Sequence, residues 1–326
     1  MLEKEGRSAV ARREFLKRTA LGTAGAVMAG ELPAWGQAEA KSLVVVVKSD
    51  SAISEENPDR ANLAVVEKML ERGVCELTGK SDAKAAWTTF FRPSDAVATC
   101  DAGSHLQNVP ELSVAVMKGL ALAGVRQMKL GSIWVAYRER SQMKERLDGW
   151  IAAVKEGLAA AKISEEVMDR ELYRIPARFA VDPFDGIVLV CTLKPHYLCG
   201  VAGAVKHFAT LAKKGPRVYH PDGMKTAGEV LATDFKAHRK LVVVDALRFA
   251  GTGDPHRPAR DYVFQKSLVL SADPVAADAV ALALFLKAGC KPSGDIPPQI
   301  HIEAADKDYH AGVSDLAKID VRQVKV

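Results

Sequence analysis

One short segment of this 326-residue chain concentrates side chains that could do chemistry: Cys191-Thr192-Leu193-Lys194-Pro195-His196-Tyr197-Leu198-Cys199-Gly200-Val201-Ala202-Gly203-Ala204-Val205-Lys206-His207. Two lysines bring positive charge and His196 is an acid–base group suited to neutral pH. Gly200 and Gly203 would let backbone N–H groups approach an anion where a helix begins. Lys194, His196 and Asp278 are therefore the candidate catalytic groups, with Gly200, Gly203, Lys206 and Asp245 as candidate cofactor-binding positions. The bland reading makes the glycines points of close helix packing and Lys206 a solvated helix residue. The segment is not a Walker loop, and no Gly-x-Gly-x-x-Gly stands after residue 40, so no motif supports nucleotide binding.

The thiols offer a second chemistry. Cys100 and Cys191 each close a predicted strand, and His105, His196, Cys199 and His207 stand close by in sequence. A Cys/His set of this kind, with Cys100, Cys191, His196 and Cys199 as candidate ligands, suits zinc, copper or iron. Two other readings stay open: a Cys100–Cys191 disulfide, or thiols that act as small apolar residues. The cysteines number five with no Cys-x-x-Cys pair, so a zinc ribbon or ferredoxin module has no local signature. Asp278 falls inside the apolar helix predicted over Val275 to Phe285 and, if buried, needs a partner: Lys194, Lys206, Arg248 or a cation. Asp273 before Pro274 reads as an ordinary N-cap. No Gly-x-Ser-x-Gly elbow indicates a serine hydrolase.

These groups need elements to position them. Apolar, β-branched runs at Leu43 to Val47, Ala96 to Thr99, Met128 to Val135, Gly186 to Val190, Leu241 to Val244 and Leu268 to Leu270 suit strands buried on both faces. Helical patterns lie between them: one from Asn57-Pro58 to Gly73, one from Pro110 to Gly124, one opened by Asp273-Pro274, and a longer one marked by Met143, Leu147, Trp150, Ile151, Val154 and Leu158. The alternation predicts an α/β fold, a mainly parallel sheet flanked by helices. Ligands of such sheets bind at the carboxyl ends of the strands, where Lys48, Cys100, Asp101, Cys191, Lys194, His196, Asp245, Ser271 and Asp273 fall. Gly251 to Arg260 and Pro292 to Pro298 read as loops, and the tail after Gln299 as a late strand or irregular edge.

Location is written at the start of the chain. Arg12-Arg13-Glu14-Phe15-Leu16-Lys17, an uncharged run from Thr19 to Gly30 and Ala38-Glu39-Ala40 resemble a twin-arginine signal peptide whose removal would leave Lys41 first. That resemblance implies residues 1–40 as a leader, residues 41–326 as one α/β domain, an exported or periplasmic site of action, and the twin-arginine export machinery as a partner. It also raises the expectation of a cofactor inserted before export. No stable membrane anchor is expected after cleavage, because the run is too short to span a bilayer. A formal net charge of +5 is too small and scattered to argue for nucleic acid.

The central segment carries a second resemblance. Leu193-Lys194-Pro195-His196 followed by Gly200-Val201-Ala202-Gly203-Ala204-Val205-Lys206 is similar to the signature of the family catalogued as domain of unknown function 362. The similarity continues through Asp245-Ala246 and Ser271-Ala272-Asp273-Pro274-Val275-Ala276-Ala277-Asp278, over about residues 43–287. Relatives often show Asp-x-Val-x-Ile-Lys-x-Asn where this chain has Asp95-Ala96-Val97-Ala98-Thr99-Cys100-Asp101-Ala102, and an Asn where it has His207. Some relatives carry a ferredoxin-like cluster domain, whose cysteines this chain lacks. The leading expectation is an exported protein that holds a small anionic cofactor or substrate, with a metal ion as one candidate, at a Lys/His/Asp strand-end site. The alternatives are a non-catalytic accessory or carrier protein, and a thiol redox protein using Cys191 and Cys199.

Overall fold

The computed structural model describes residues 41–102, 106–132, 141–168, 184–252 and 261–326. The expected leader at 1–40, His105 and residues 253–260 lie outside them. The sheet strands are β1 (Ser42–Lys48), β2 (Ala96–Ala102), β3 (Gln127–Ser132), β4 (Gly186–Cys191), β7 (Arg239–Ala250), β8 (Tyr262–Ser271) and β9 (Ile319–Lys325). A separate antiparallel pair, β5 (Lys194–His196) and β6 (Gly200–Ala202), follows β4. The sheet order is β3-β2-β4-β7-β8-β1-β9. β3, β2, β4 and β7 run parallel, β8 runs antiparallel to both β7 and β1, and β1 pairs parallel with β9. The sheet is thus mixed, with β8 alone reversed.

Alternation along the strands explains why the apolar runs are continuous. On β1, Val44 and Val46 enter one core while Val45 and Val47 enter the other. The second core packs α1 (Leu63–Thr78), α2 (Ala83–Phe90), α3 (Pro110–Leu122) and α4 (Ser141–Ala160) on one face of the sheet. The first packs α5 (Ala204–Thr210), α6 (Gly228–Ala232), α7 (Pro274–Lys287) and α8 (Ile300–Lys307) on the opposite face. Burial on both faces leaves no polar stripe for a strand to show.

Several element ends differ from the sequence reading. The first helix begins at Leu63, capped by Asn62, and runs through Gly73 to end at Gly79, whose φ is 67°. Gly73 is no stop signal: a Cβ there would lie 2.8 Å from Leu270 Cδ1, so its bare Cα is what lets α1 lie close on the sheet. The tail folds into a helix and then an edge strand, α8 and β9. Pro110, Asp273-Pro274 and the Leu147-to-Leu158 stripe sit where their patterns place them.

Candidate functional site

Leaving β4, the chain forms the β5–β6 hairpin with Lys194 opposite Ala202 and His196 opposite Gly200. Gly200 adopts a φ of 75°, and a Cβ there would sit 2.8 Å from Pro298 Cα. Only glycine meets both demands, so this residue seats the Pro292 to Pro298 loop against the hairpin. Gly203 is the N-cap of α5. Its carbonyl accepts from His207 N at 3.0 Å.

The N-terminus of α5 receives an anion from the protein itself. Asp278, fully buried on α7, accepts from Ala204 N at 2.6 Å and Val205 N at 2.9 Å. A Cβ on Gly203 would stand 2.3 Å from Asp278 Oδ1. Gly203 therefore makes room for an internal carboxylate, and two backbone amides answer Asp278 rather than Lys194, Lys206 or Arg248. Burial still pushes this carboxyl up to about 7, against the two N–H bonds that favour its charge.

The two lysines are buried, not solvated. Lys194 is 1% exposed and Lys206 9%. Lys194 Nζ donates to Leu106 O at 3.4 Å, and burial, then the Lys206 charge, holds its ammonium down to about 7. Burial also lowers Lys206. Among the described residues Lys206 Nζ makes no hydrogen bond and no ion pair. Its charge disfavours the cationic forms of Lys194, His207, His220 and His301, in each case second to burial or later among the causes. His301 is fully buried, neither ring nitrogen finds a partner among the described residues, and burial brings it down to about 3. His196 is nearly buried, accepts from Leu198 N through Nδ1 at 3.3 Å, and stacks on the exposed Tyr197 at 5.2 Å between ring centroids.

Asp245 belongs to the opposite face of the sheet. There the segment Leu106 to Pro110 crosses the strand ends and is gripped from every side. Asp101 Oδ2 accepts from Asn108 Nδ2 at 3.0 Å and from Ser113 Oγ at 2.9 Å. Asn108 Nδ2 also reaches Val190 O at 2.8 Å, while Asp245 Oδ2 accepts from Val109 N at 2.8 Å and Oδ1 from Leu247 N at 3.0 Å. Arg248 donates to Gln107 O at 3.2 Å and Trp150 Nε1 to Asn108 O at 3.1 Å. Burial raises the Asp245 carboxyl and takes that of Asp101 to about 7. The structure thus unites Lys194 with Lys206, joins Asp278 to the start of α5, and separates Asp245 from both. Asn108 and His301 escaped the sequence reading. The first stands two residues before a Pro110 helix start, and the second in a tail that showed no periodicity.

None of the five cysteines is joined to another by a disulfide. Cys100, Cys191 and Cys199 are buried in the first core, where burial raises Cys191 well above its ordinary range and Cys199 to about 12. Cys191 and Cys199 are therefore poor thiolates, and Cys199 Sγ donates to Val201 O at 2.9 Å. Cys100, Cys191, His196 and Cys199 do not form a ligand set: among the described residues no three His, Cys, Asp or Glu side chains are grouped to hold a metal ion. No helix among them is long and apolar enough to cross a membrane.

The model of the family described as "Domain of unknown function (DUF362)" matches residues 113–283, just over half of the chain. No curated protein matches. The matched stretch contains the hairpin, both lysines, Asp245 and Asp278, and excludes β2 with Cys100. The chain belongs to the DUF362 family.

Proposed function

We propose that this protein binds a small anionic cofactor or substrate between Lys194 and Lys206, on the α5–α8 side of the sheet. The observation that carries the reading is the uncompensated Lys206 charge: a nearly buried ammonium surrounded by Lys194, His207, His220 and His301, with no carboxylate bonded to it among the described residues. A buried charge of this kind calls for a counter-charge. An anion there would favour the protonated form of Lys194, so binding takes up a proton near neutral pH and weakens as pH rises through about 7. Export by the twin-arginine route belongs to the same proposal and rests on the residue pattern of the leader.

Calorimetric titration of the chain with phosphate, sulfate and citrate tests it. Binding stronger at pH 6 than at pH 8.5, with proton uptake, and its loss in Lys206→Met, is the expected result. Equal binding by wild type and Lys206→Met, or none of the three anions bound, would overturn the reading. Turnover of the bound anion separates an enzyme from a carrier.

A further inference from the structure

On the other face of the sheet, above Asp245, lies a cleft of about 290 Å³. Its size stands near the lower bound of ~300 Å³ for small-molecule sites, so an occupant would be small. Trp150, Pro110 and Ala153 give it an apolar wall, and the indole is held in place by its bond to Asn108 O. Arg248 and Arg146 give it charge. Arg60 also lines it but is already bound to Glu111 at 2.5 Å.

Arg248 is the unusual member. Its side chain is 2% exposed, and its Nη2 donates to Asp59 Oδ1 at 3.1 Å and to Gln107 O. Asp245 Oδ2 lies 3.9 Å from Nη1, but that carboxylate is already bonded to two backbone amides. The guanidinium also lies 5.4 Å from the Tyr262 ring centre. Among the described residues its buried Nε finds no partner, and neither does Nε2 of Gln107, another residue of the lining. Two buried donors on residues that line one cleft ask for an acceptor. Asp59, on an exposed loop and itself 51% exposed, reaches in to touch Arg248 and, at 3.7 Å, Arg146.

We infer that this cleft binds a small carboxylate with an apolar body, whose carboxylate takes the place of Asp59 between Arg248 and Arg146. The planar guanidinium forks match a carboxylate in two-point contact, the orphaned donors lie among the lining residues, and the Trp150 wall accepts the body. Asp59 is then a tethered competitor. Its half-exposed pairing is worth little on its own, so a free carboxylate that also buries apolar surface against Trp150 displaces it. This site is separate from the Lys194–Lys206 cluster, so each can fail without the other.

Benzoate titrated into the full chain, with benzyl alcohol as a neutral control of similar shape, tests the inference. Expected are saturable binding of benzoate over benzyl alcohol, an affinity lowered about tenfold or more in Arg146→Gln, as for the loss of a charge-assisted hydrogen bond, tighter binding in Asp59→Asn, and no change in Lys206→Met. Equal binding of benzoate and benzyl alcohol would overturn it by showing an apolar cavity only. So would benzoate binding that Lys206→Met abolishes and Arg146→Gln does not, or absence of binding in both wild type and Asp59→Asn.

Discussion

Asp278→Ala is the sharpest probe of how this site is built. The substitution removes the acceptor for Ala204 N and Val205 N, two buried amides at the start of α5. Each buried N–H left without a partner costs about 1–3 kcal/mol, so at pH 5 the loss should be about 2–6 kcal/mol. Burial also raises the Asp278 carboxyl from 3.8 to about 7. The folded chain therefore holds this proton more tightly than the unfolded chain. The resulting stability is present at low pH and is lost as pH rises through about 7. Between pH 5 and pH 8 that loss amounts to about 2–3 kcal/mol for wild type, and the alanine variant does not suffer it. The cost of the substitution should shrink by about that amount at pH 8. Urea denaturation of both proteins at the two pH values reads the difference directly. A cost under about 0.5 kcal/mol at both, or one that grows toward pH 8, would refute the claim that a buried carboxyl holds α5.

Gly203→Ala places a methyl group 2.3 Å from Asp278 Oδ1 and should cost about 1–3 kcal/mol as overpacking; combined with Asp278→Ala it should cost clearly less than the sum, and additive denaturation energies would break the link. Lys194, lowered from 10.5 to about 7 by burial and then by Lys206, binds its proton less tightly folded than unfolded, so its stability penalty is full below pH 7 and recedes as pH rises toward 10.5. The melting temperature of wild type relative to Lys194→Met should accordingly rise between pH 7 and pH 9, and a constant gap would count against the buried ammonium. Replacing Arg12 and Arg13 together by Lys should leave the protein in the cytoplasm with residues 1–40 attached, because the route reads the arginine pair; cell fractionation with terminal sequencing checks it, and normal export would sink that reading.

Most strands of the large sheet and two helix starts were legible in the chain because they depend on local chemistry, whereas Asn57-Pro58 misplaced the start of the first helix, which begins at Leu63. Val44 to Val47 can only be a strand buried on both sides, and Pro110 and Asp273-Pro274 mark helix starts through fixed backbone angles. What stayed hidden was tertiary. Gly73 looks like a stop until Leu270 of β8 is seen pressing on it. Asp273 reads as a plain cap, yet besides Val275 N and Ala276 N it accepts from Ser42 Oγ at 2.7 Å and Val313 N at 2.9 Å, tying β1 and the tail to α7. The reversal of β8 is invisible in its composition, since buried parallel and antiparallel strands carry the same residues. Lys206 could be named from the sequence, but its burial could not: a lysine two residues into a helix reads as solvated until α7 and α8 are packed against it.

The two faces of the sheet divide the ionisable groups in a way that gives Lys194 a distinct position. Asp101, Asp245 and Arg248 work on the side of α3, where they hold the Leu106 to Pro110 crossing segment. Lys206, His207 and His301 belong with α5 and α8. Lys194 meets both sides: beyond the burial that lowers it most, the Lys206 charge lowers it and the Asp101 charge raises it, and its Nζ bonds to Leu106 O in the crossing segment. Its backbone belongs to the β5–β6 hairpin, while its Nζ contacts the crossing segment that also carries Gln107 and Asn108 of the arginine cleft.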